Sequence, residues 1–298
     1  SDPVVLAGQP GKRVFHHLEP AGRRSLAVAD DAVAVTWEDD RDGTPRVYLS
    51  RGKAGSRNFA KPIQLSGAGE AYDPVISAIP GGRFMVAWEE DGQVYARLVD
   101  EHEAGPVLKL SSSTAAQPVL ASQGKSVVAA WSERAGQHGQ IQLAELDITG
   151  SKLSVHKRCR ADAEEAKDEQ LYPTLVAVDE DLLIAWEDRR PGHTIIMAAH
   201  GRPCELSAPV RVSETIEQRS AVYGKGHGVS RVALTGHGKK RVLAVWADKR
   251  DFREGYDIYA ADYEAGKGFG SNMLVQDDFG GVARQWHPTA AGHENGVL

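Results

Sequence analysis

The stretch VAVTWEDDRDG, from Val33 to Gly43, decides how this chain reads, because versions of it return four more times. MVAWEEDG ends at Gly92, VVAAWSERAG at Gly136, LLIAWEDRRPG at Gly192 and VLAVWADKRD at Asp251. Each is an apolar run, then a tryptophan, then an acidic turn. Trp37, Trp88, Trp131, Trp186 and Trp246 follow one another at steps of about 40 to 60 residues, and self-similarity on that scale marks a propeller or a solenoid. Around the first copy, Ser25 to Ala29, Ala32 to Trp37, Arg46 to Ser50 and Pro62 to Leu65 read as four short strands. The Gly, Asp and Pro turns between them make this one antiparallel blade.

The later copies read the same way. The second gives PVISA, FMVAW, QVYARL and PVLKL, and the third PVLAS, VVAAW, IQLAEL and KLSVH. The fourth gives TLVAV, LLIAW, IIMAA and PVRVS, and the fifth RVALTG, RVLAVW, DIYAADY and NMLVQ. Between the third and fourth, the acidic ADAEEAKDEQ predicts a solvated loop or one helical turn. The expected fold is all-β: a β-propeller of four-stranded antiparallel blades forming a single domain over residues 1–298. Its repeats fall near 23–66, 67–111, 112–157, 170–214 and 229–276, with a partial one at 285–298. The last is placed because QWHPTAAGHENGVL matches the first strand of a repeat, as AYDPVISAIPGGRFM and QLYPTLVAVDEDLL do. A six-bladed ring with its sixth blade incomplete in this chain is the expectation, with Pro3 to Ala7 closing it as an outer strand. A five-bladed ring with a surplus tail is the alternative.

Composition narrows the partners. The net charge is -6, with Lys and Arg scattered among acids, which argues against nucleic acid. No apolar run approaches the roughly 20 residues that span a bilayer. The opening SDPVVLAGQPG lacks the charged and then apolar pattern of a signal, so the expectation is a mature chain or one from which a signal was removed. Cys159 and Cys204 lie in polar parts of neighbouring repeats and allow either one bridge or two free thiols.

The runs VTWEDDRDG followed by VYLS, AWEDRR, and VWADKRD followed by DIYAADY resemble the sialidase-like, BNR-repeat-related β-propellers. The resemblance covers nearly the whole chain at repeat level. It implies the propeller fold and a secreted setting, while function varies widely on such propellers. The Asp-box pattern and the Arg-Ile-Pro motif of sialidases are absent from this sequence, so no catalytic residue is carried over.

Candidate sites follow from separating what repeats from what varies. The second residue after each tryptophan is acidic, as Asp39, Glu90, Glu133, Asp188 and Asp248, and Arg41, Arg190 and Arg250 follow three of them. A group that every blade needs is expected to be scaffold, with the acid accepting turn N–H groups and pairing with the arginine. The tryptophan is expected to be a packing wedge between blades. Variation is concentrated just before the first strand, at Arg24 (or Arg23), Asp73, Gln117, Tyr172, Ser230 and His287, with Tyr72 and Trp286 one residue earlier. Together with Glu89 of a Trp-acid hairpin, these are expected to ring the mouth of the central channel and bind a polar ligand. His227, in the glycine-rich insertion GKGHG, is expected to fold over that mouth. His227 with His287, and His16 with His17, also form a candidate metal site; no other cofactor is implied.

The resulting expectation is an extracellular or periplasmic propeller that binds a glycan or other small polar ligand, with another protein as a further candidate partner. It leans away from an enzyme. The alternative is a sialidase-like glycoside hydrolase or related carbohydrate-active enzyme, for which Asp73, Glu89 and Tyr172 could serve.

Overall fold

The computed structural model describes residues 24–101, 103–123, 126–214, 228–250, 255–275, 288–293 and 296–297. Among the described residues there are strands and turns and no α-helix. The first sheet runs β1 (Leu26–Ala29), β2 (Ala32–Asp39), β3 (Arg46–Lys53) and β4 (Ile63–Gln64), with neighbours antiparallel. The second runs β5 (Ala71–Ile79), β6 (Arg83–Glu90), β7 (Gln93–Val99) and β8 (Leu108–Lys109). The third runs β9 (Ala115–Gln123), β10 (Ser126–Ala135), β11 (His138–Thr149) and β12 (Lys152–Arg160). In the fourth, β13 (Gln170–Val178), β14 (Asp181–Asp188) and β15 (Ile195–Arg202) are followed by β16 (Glu205–Leu206) and β17 (Val210–Arg211), which share the outer edge of β15. The fifth repeats this with β18 (Val229–His237), β19 (Arg241–Asp248), β20 (Asp257–Glu264), β21 (Gly268–Phe269) and β22 (Met273–Leu274). A hairpin of β23 (Gly292–His293) and β24 (Gly296–Val297) follows.

Strands paired in chain order are what short turns dictate. The turn after each of the first four Trp-acid pairs is closed by a glycine in the left-handed region, with φ 85° at Gly43, 69° at Gly92, 67° at Gly136 and 81° at Gly192. Side chains at those positions would strain the turn. The apolar runs FMVAW, VVAAW and LLIAW form second strands buried at nearly every position, as a strand covered on both faces requires.

The chain divides into two compact units, one from Arg23–Glu133 and Ala144–Arg158, the other from Arg134–Leu143 and Cys159–Leu298. In the first, Trp88 packs in one apolar cluster with Val47 and Leu49 of the preceding sheet, and Trp131 packs in another with Val94 and Ala96. In the second, Trp246 packs with Ile196 and Ala198 of the preceding sheet. Trp88, Trp131, Trp186 and Trp246 are all fully buried, and Trp88, Trp131 and Trp246 are wedges between consecutive sheets, as expected. A further repeat ties the outer edge of each of three sheets to its third strand: Ser66, Ser111 and Ser213 accept the backbone N–H of Val47, Val94 and Ile196 through their hydroxyls at 3.0, 2.9 and 3.0 Å.

Three details of the second unit bear on the sequence reading. Cys159 and Cys204 are bridged, with Cα atoms 5.4 Å apart, tying the end of β12 to the turn between β15 and β16. Residues 161–169 form a loop without a helical turn, and the stretch leading into β13 is not solvated throughout. Asp162 is buried against the Arg190 guanidinium at 2.6 Å, and the buried Gln170 accepts the Ile141 N–H at 3.2 Å. Finally, β23 lies against β18 so closely that a Cβ at Gly292 would sit 1.8 Å from the Gly236 carbonyl oxygen. The strand expected at Pro3 to Ala7 lies outside the described residues.

Candidate functional site

The acid two residues after each tryptophan accepts that tryptophan's own indole N–H. The distances are 3.4 Å for Trp37 to Asp39, 2.9 Å for Trp88 to Glu90 and 2.6 Å for Trp131 to Glu133. They are 3.2 Å for Trp186 to Asp188 and 2.9 Å for Trp246 to Asp248. A buried indole N–H without an acceptor would be costly, and the acid supplies one in every repeat. Where an arginine follows, the same carboxylate accepts its backbone N–H: Arg41 at 2.8 Å, Arg190 at 3.0 Å and Arg250 at 2.8 Å. It also takes the guanidinium of the same residue. The second and third sheets lack that arginine. There Glu90 takes the Gly67 and Gly69 N–H groups, while Glu133 takes Ser112, Ser113 and Arg158. Burial acts to raise the Asp39, Glu133 and Asp188 carboxyls, but these donors outweigh it and hold all three below the ordinary range. Such fully engaged carboxylates are scaffold, which is the role the sequence assigns them.

The variable slot has its own geometry. Asp73, Gln117, Tyr172 and Arg231 all sit in the left-handed region, at φ 53°, 61°, 50° and 58°. None is glycine, and the conformation is one that side chains resist. In each of these four sheets the ladder between the first two strands slips at this point, between Tyr72 and Val75, opposite Ala130 and Ser132, between Leu171 and Thr174, and between Ser230 and Ala233. These are β-bulges, which re-aim a side chain. Pro74, Pro118 and Pro173 have no N–H to give the ladder, which explains three of them, while Arg231 is followed by Val232.

Two sequence expectations are corrected here. The slot lies inside the first strand instead of just before it, and in the fifth repeat it is occupied by Arg231, not Ser230. Arg24 does not share the conformation; its carbonyl accepts the Ile76 N–H of β5 at 2.9 Å.

In the first unit, the Asp73 N–H donates to Glu38 Oε2 at 3.0 Å, and the Gln117 N–H donates to Glu89 Oε1 at 2.5 Å. The Tyr72 hydroxyl donates to Glu70 at 3.2 Å, and burial, Glu70 and then Glu38 push its phenol up. In the second unit, the Arg231 N–H donates to Glu187 Oε1 at 2.7 Å and its guanidinium to the same oxygen at 3.0 Å. That guanidinium also lies over the Tyr172 ring, its carbon 3.6 Å from the ring centre. Glu187 is buried, and burial pushes its carboxyl up against the pull of Arg231. The structure thus brings Glu89 to Gln117, adds Glu38 to Asp73, and adds Glu187 and Arg231 to Tyr172. Glu38, Glu187 and Arg231 were missed from sequence, although a signal existed: the residue directly after the tryptophan is Glu in three of the five copies. His227, Trp286 and His287 lie outside the described residues, as do His16 and His17. Among the described residues, no group of three or more His, Cys, Asp or Glu could hold a metal ion.

No family model and no curated protein matches the chain. Solved structures do. A Penicillium chrysogenum α-L-arabinanase, solved with arabinobiose, superposes with a TM-score of 0.55 at 14% identity, over 75% of this chain and 73% of that one. A Fusarium graminearum GH93 α-L-arabinofuranosidase gives 0.47 at 11%, over 67% and 64%. A Bacillus licheniformis GH43 endo-arabinanase gives 0.44 at 10%, over 85% and 99%. The fold is that of a β-propeller, as the sequence predicts. The lean away from an enzyme is corrected, since the arabinanase on which the chain superposes is a glycoside hydrolase and the alternative reading fits it better than binding without chemistry. Among the described residues, no helix is long and apolar enough to cross a membrane.

Proposed function

We propose that the protein is a glycan-processing enzyme, a glycoside hydrolase on a propeller scaffold. Asp73 is the carboxyl we assign to acid–base work, with Tyr72 and Gln117, of the same unit, contacting sugar. One observation carries this reading. Four sheets hold a non-glycine residue in the same strained backbone conformation, and the side chains there differ in charge and hydrogen-bonding capacity. Scaffolding gains nothing from such variety, whereas strain kept at one slot is a feature of functional sites. A carboxyl, an amide and a phenol are also what sugar hydroxyls and a glycosidic oxygen call for.

The names of the neighbouring structures make arabinose-containing glycans the first substrate class to test. The Cys159–Cys204 bridge supports an extracellular or periplasmic setting, where disulfides persist. The hairpin β23–β24 against β18 supports a sixth blade. The sialidase-like kinship is our reading of the Trp-acid repeats.

The test is a panel of arabinan, xylan and 4-nitrophenyl glycosides, assayed with the parent and Asp73→Asn. The parent should cleave at least one member, and Asp73→Asn should lower kcat by about 100-fold or more, the usual contribution of acid–base catalysis, without lowering Tm. A panel left intact by the parent, or cleaved equally by Asp73→Asn, would overturn the proposal.

A further inference from the structure

The left-handed slot is held from outside its own repeat. In three instances the backbone N–H of the slot residue is given to the carboxylate of the glutamate that follows the preceding repeat's tryptophan. The pairs are Asp73 with Glu38, Gln117 with Glu89, and Arg231 with Glu187. The bulge removes that N–H from the strand ladder, so without the glutamate a partly buried donor would lose its acceptor. The bond goes to a backbone atom and is therefore indifferent to which side chain occupies the slot. One acid type can hold Asp, Gln or Arg alike. The glutamate itself sits at the end of the second strand of its sheet, immediately after a tryptophan whose indole N–H is accepted by the acid that follows, and so its backbone is anchored.

We infer that Glu38, Glu89 and Glu187 are positioning residues, each carboxylate fixing the backbone of the next repeat's slot residue so that its variable side chain points in one direction. This reassigns Glu89, which the sequence offered as a candidate to act on ligand directly. It deepens the proposed function, because Glu38 then controls the aim of Asp73, and it rests on that reading only for its catalytic consequence.

The experiment compares the parent with Glu38→Gln and Glu38→Ala, following arabinan hydrolysis and, by NMR, hydrogen exchange of the Asp73 amide. Glutamine keeps an acceptor oxygen, whereas alanine removes it. Glu38→Ala should speed exchange at Asp73 and lower kcat by about tenfold or more with little change in KM, as a small misplacement of a catalytic group does. Glu38→Gln should restore both. Equal loss of kcat in the two variants would make Glu38 a group that acts on substrate itself and would overturn the inference. Unchanged exchange at Asp73 in Glu38→Ala would overturn it as well. Should the parent cleave no arabinan, the enzymatic reading suffers, while exchange at Asp73 in the Glu38 variants, and at Arg231 in Glu187→Gln and Glu187→Ala, still decides the positioning role.

Discussion

Asp188 accepts the Trp186 indole, the Gln170 amide, and both the backbone N–H and guanidinium of Arg190. Each donor is buried or half-buried, so removing the carboxylate strands several at once. Asp188→Ala is expected to cost about 3 kcal/mol in urea unfolding, well above a single turn cap, because an arginine and an indole lose their main acceptor. The pH dependence follows from the same residues. Asp39, Glu133 and Asp188 have folded pKa values below their unfolded ones, so their stabilisation is present above the unfolded carboxylate range near 4 and is lost as pH falls through the folded values. Glu187 is raised, so its contribution runs the opposite way, fullest at low pH and lost as pH rises through its folded value. Three lowered groups against one raised group predict unfolding on acidification below about pH 4. Acid titration followed by circular dichroism would show it, and a parent equally stable at pH 3 and pH 7 would contradict it. The acids that repeat were legible in sequence because their spacing from tryptophan is fixed. Glu38 and Glu187 were passed over although Glu follows the tryptophan in three copies, because their partner is a backbone N–H in a different repeat, so the letters mark the position but not its role.

Strands were legible wherever an apolar run of five residues stood beside a tryptophan, as VVAAW in β10 and LLIAW in β14 show. The two-residue outer strands β4, β8, β17 and β22 were placed by position in the repeat more than by their own composition. Bulges were not legible. Glycine announces a left-handed turn at Gly92, but nothing in the letter Tyr announces φ 50° at Tyr172, which tertiary bonds impose. The disulfide was also undecidable beforehand, since the 5.4 Å Cα separation exists only in the fold. It closes a loop of 45 residues, and its removal should cost about 2 to 4 kcal/mol. Cys159→Ser paired with Cys204→Ser, compared with the parent before and after reduction, tests this. Reduction should lower the parent's Tm and leave the double variant unchanged. A parent insensitive to reduction would contradict the bridge.

At the scale of the whole molecule, five copies of one motif were enough to specify the propeller, because each copy repeats the same burial problem and solves it with the same tryptophan and acid. Function was read less well. Absence of sialidase signatures pulled the expectation away from catalysis, yet the arabinanase on which the chain superposes is a glycoside hydrolase. Several ring candidates, among them His287, fall outside the described residues, so the reading rests on Asp73, Gln117, Tyr172 and Arg231. The central claim is that the repeating residues build the scaffold and the strained, variable slot performs the function. Glycine at that slot separates the two, since it adopts the left-handed conformation freely while deleting the side chain. The decisive measurement is therefore Tm and arabinan hydrolysis for Asp73→Gly and Gln117→Gly, each against the parent. The account predicts that both hold or gain stability, by up to about 1 kcal/mol, while hydrolysis falls in both. Lower Tm with hydrolysis intact across the series would contradict it.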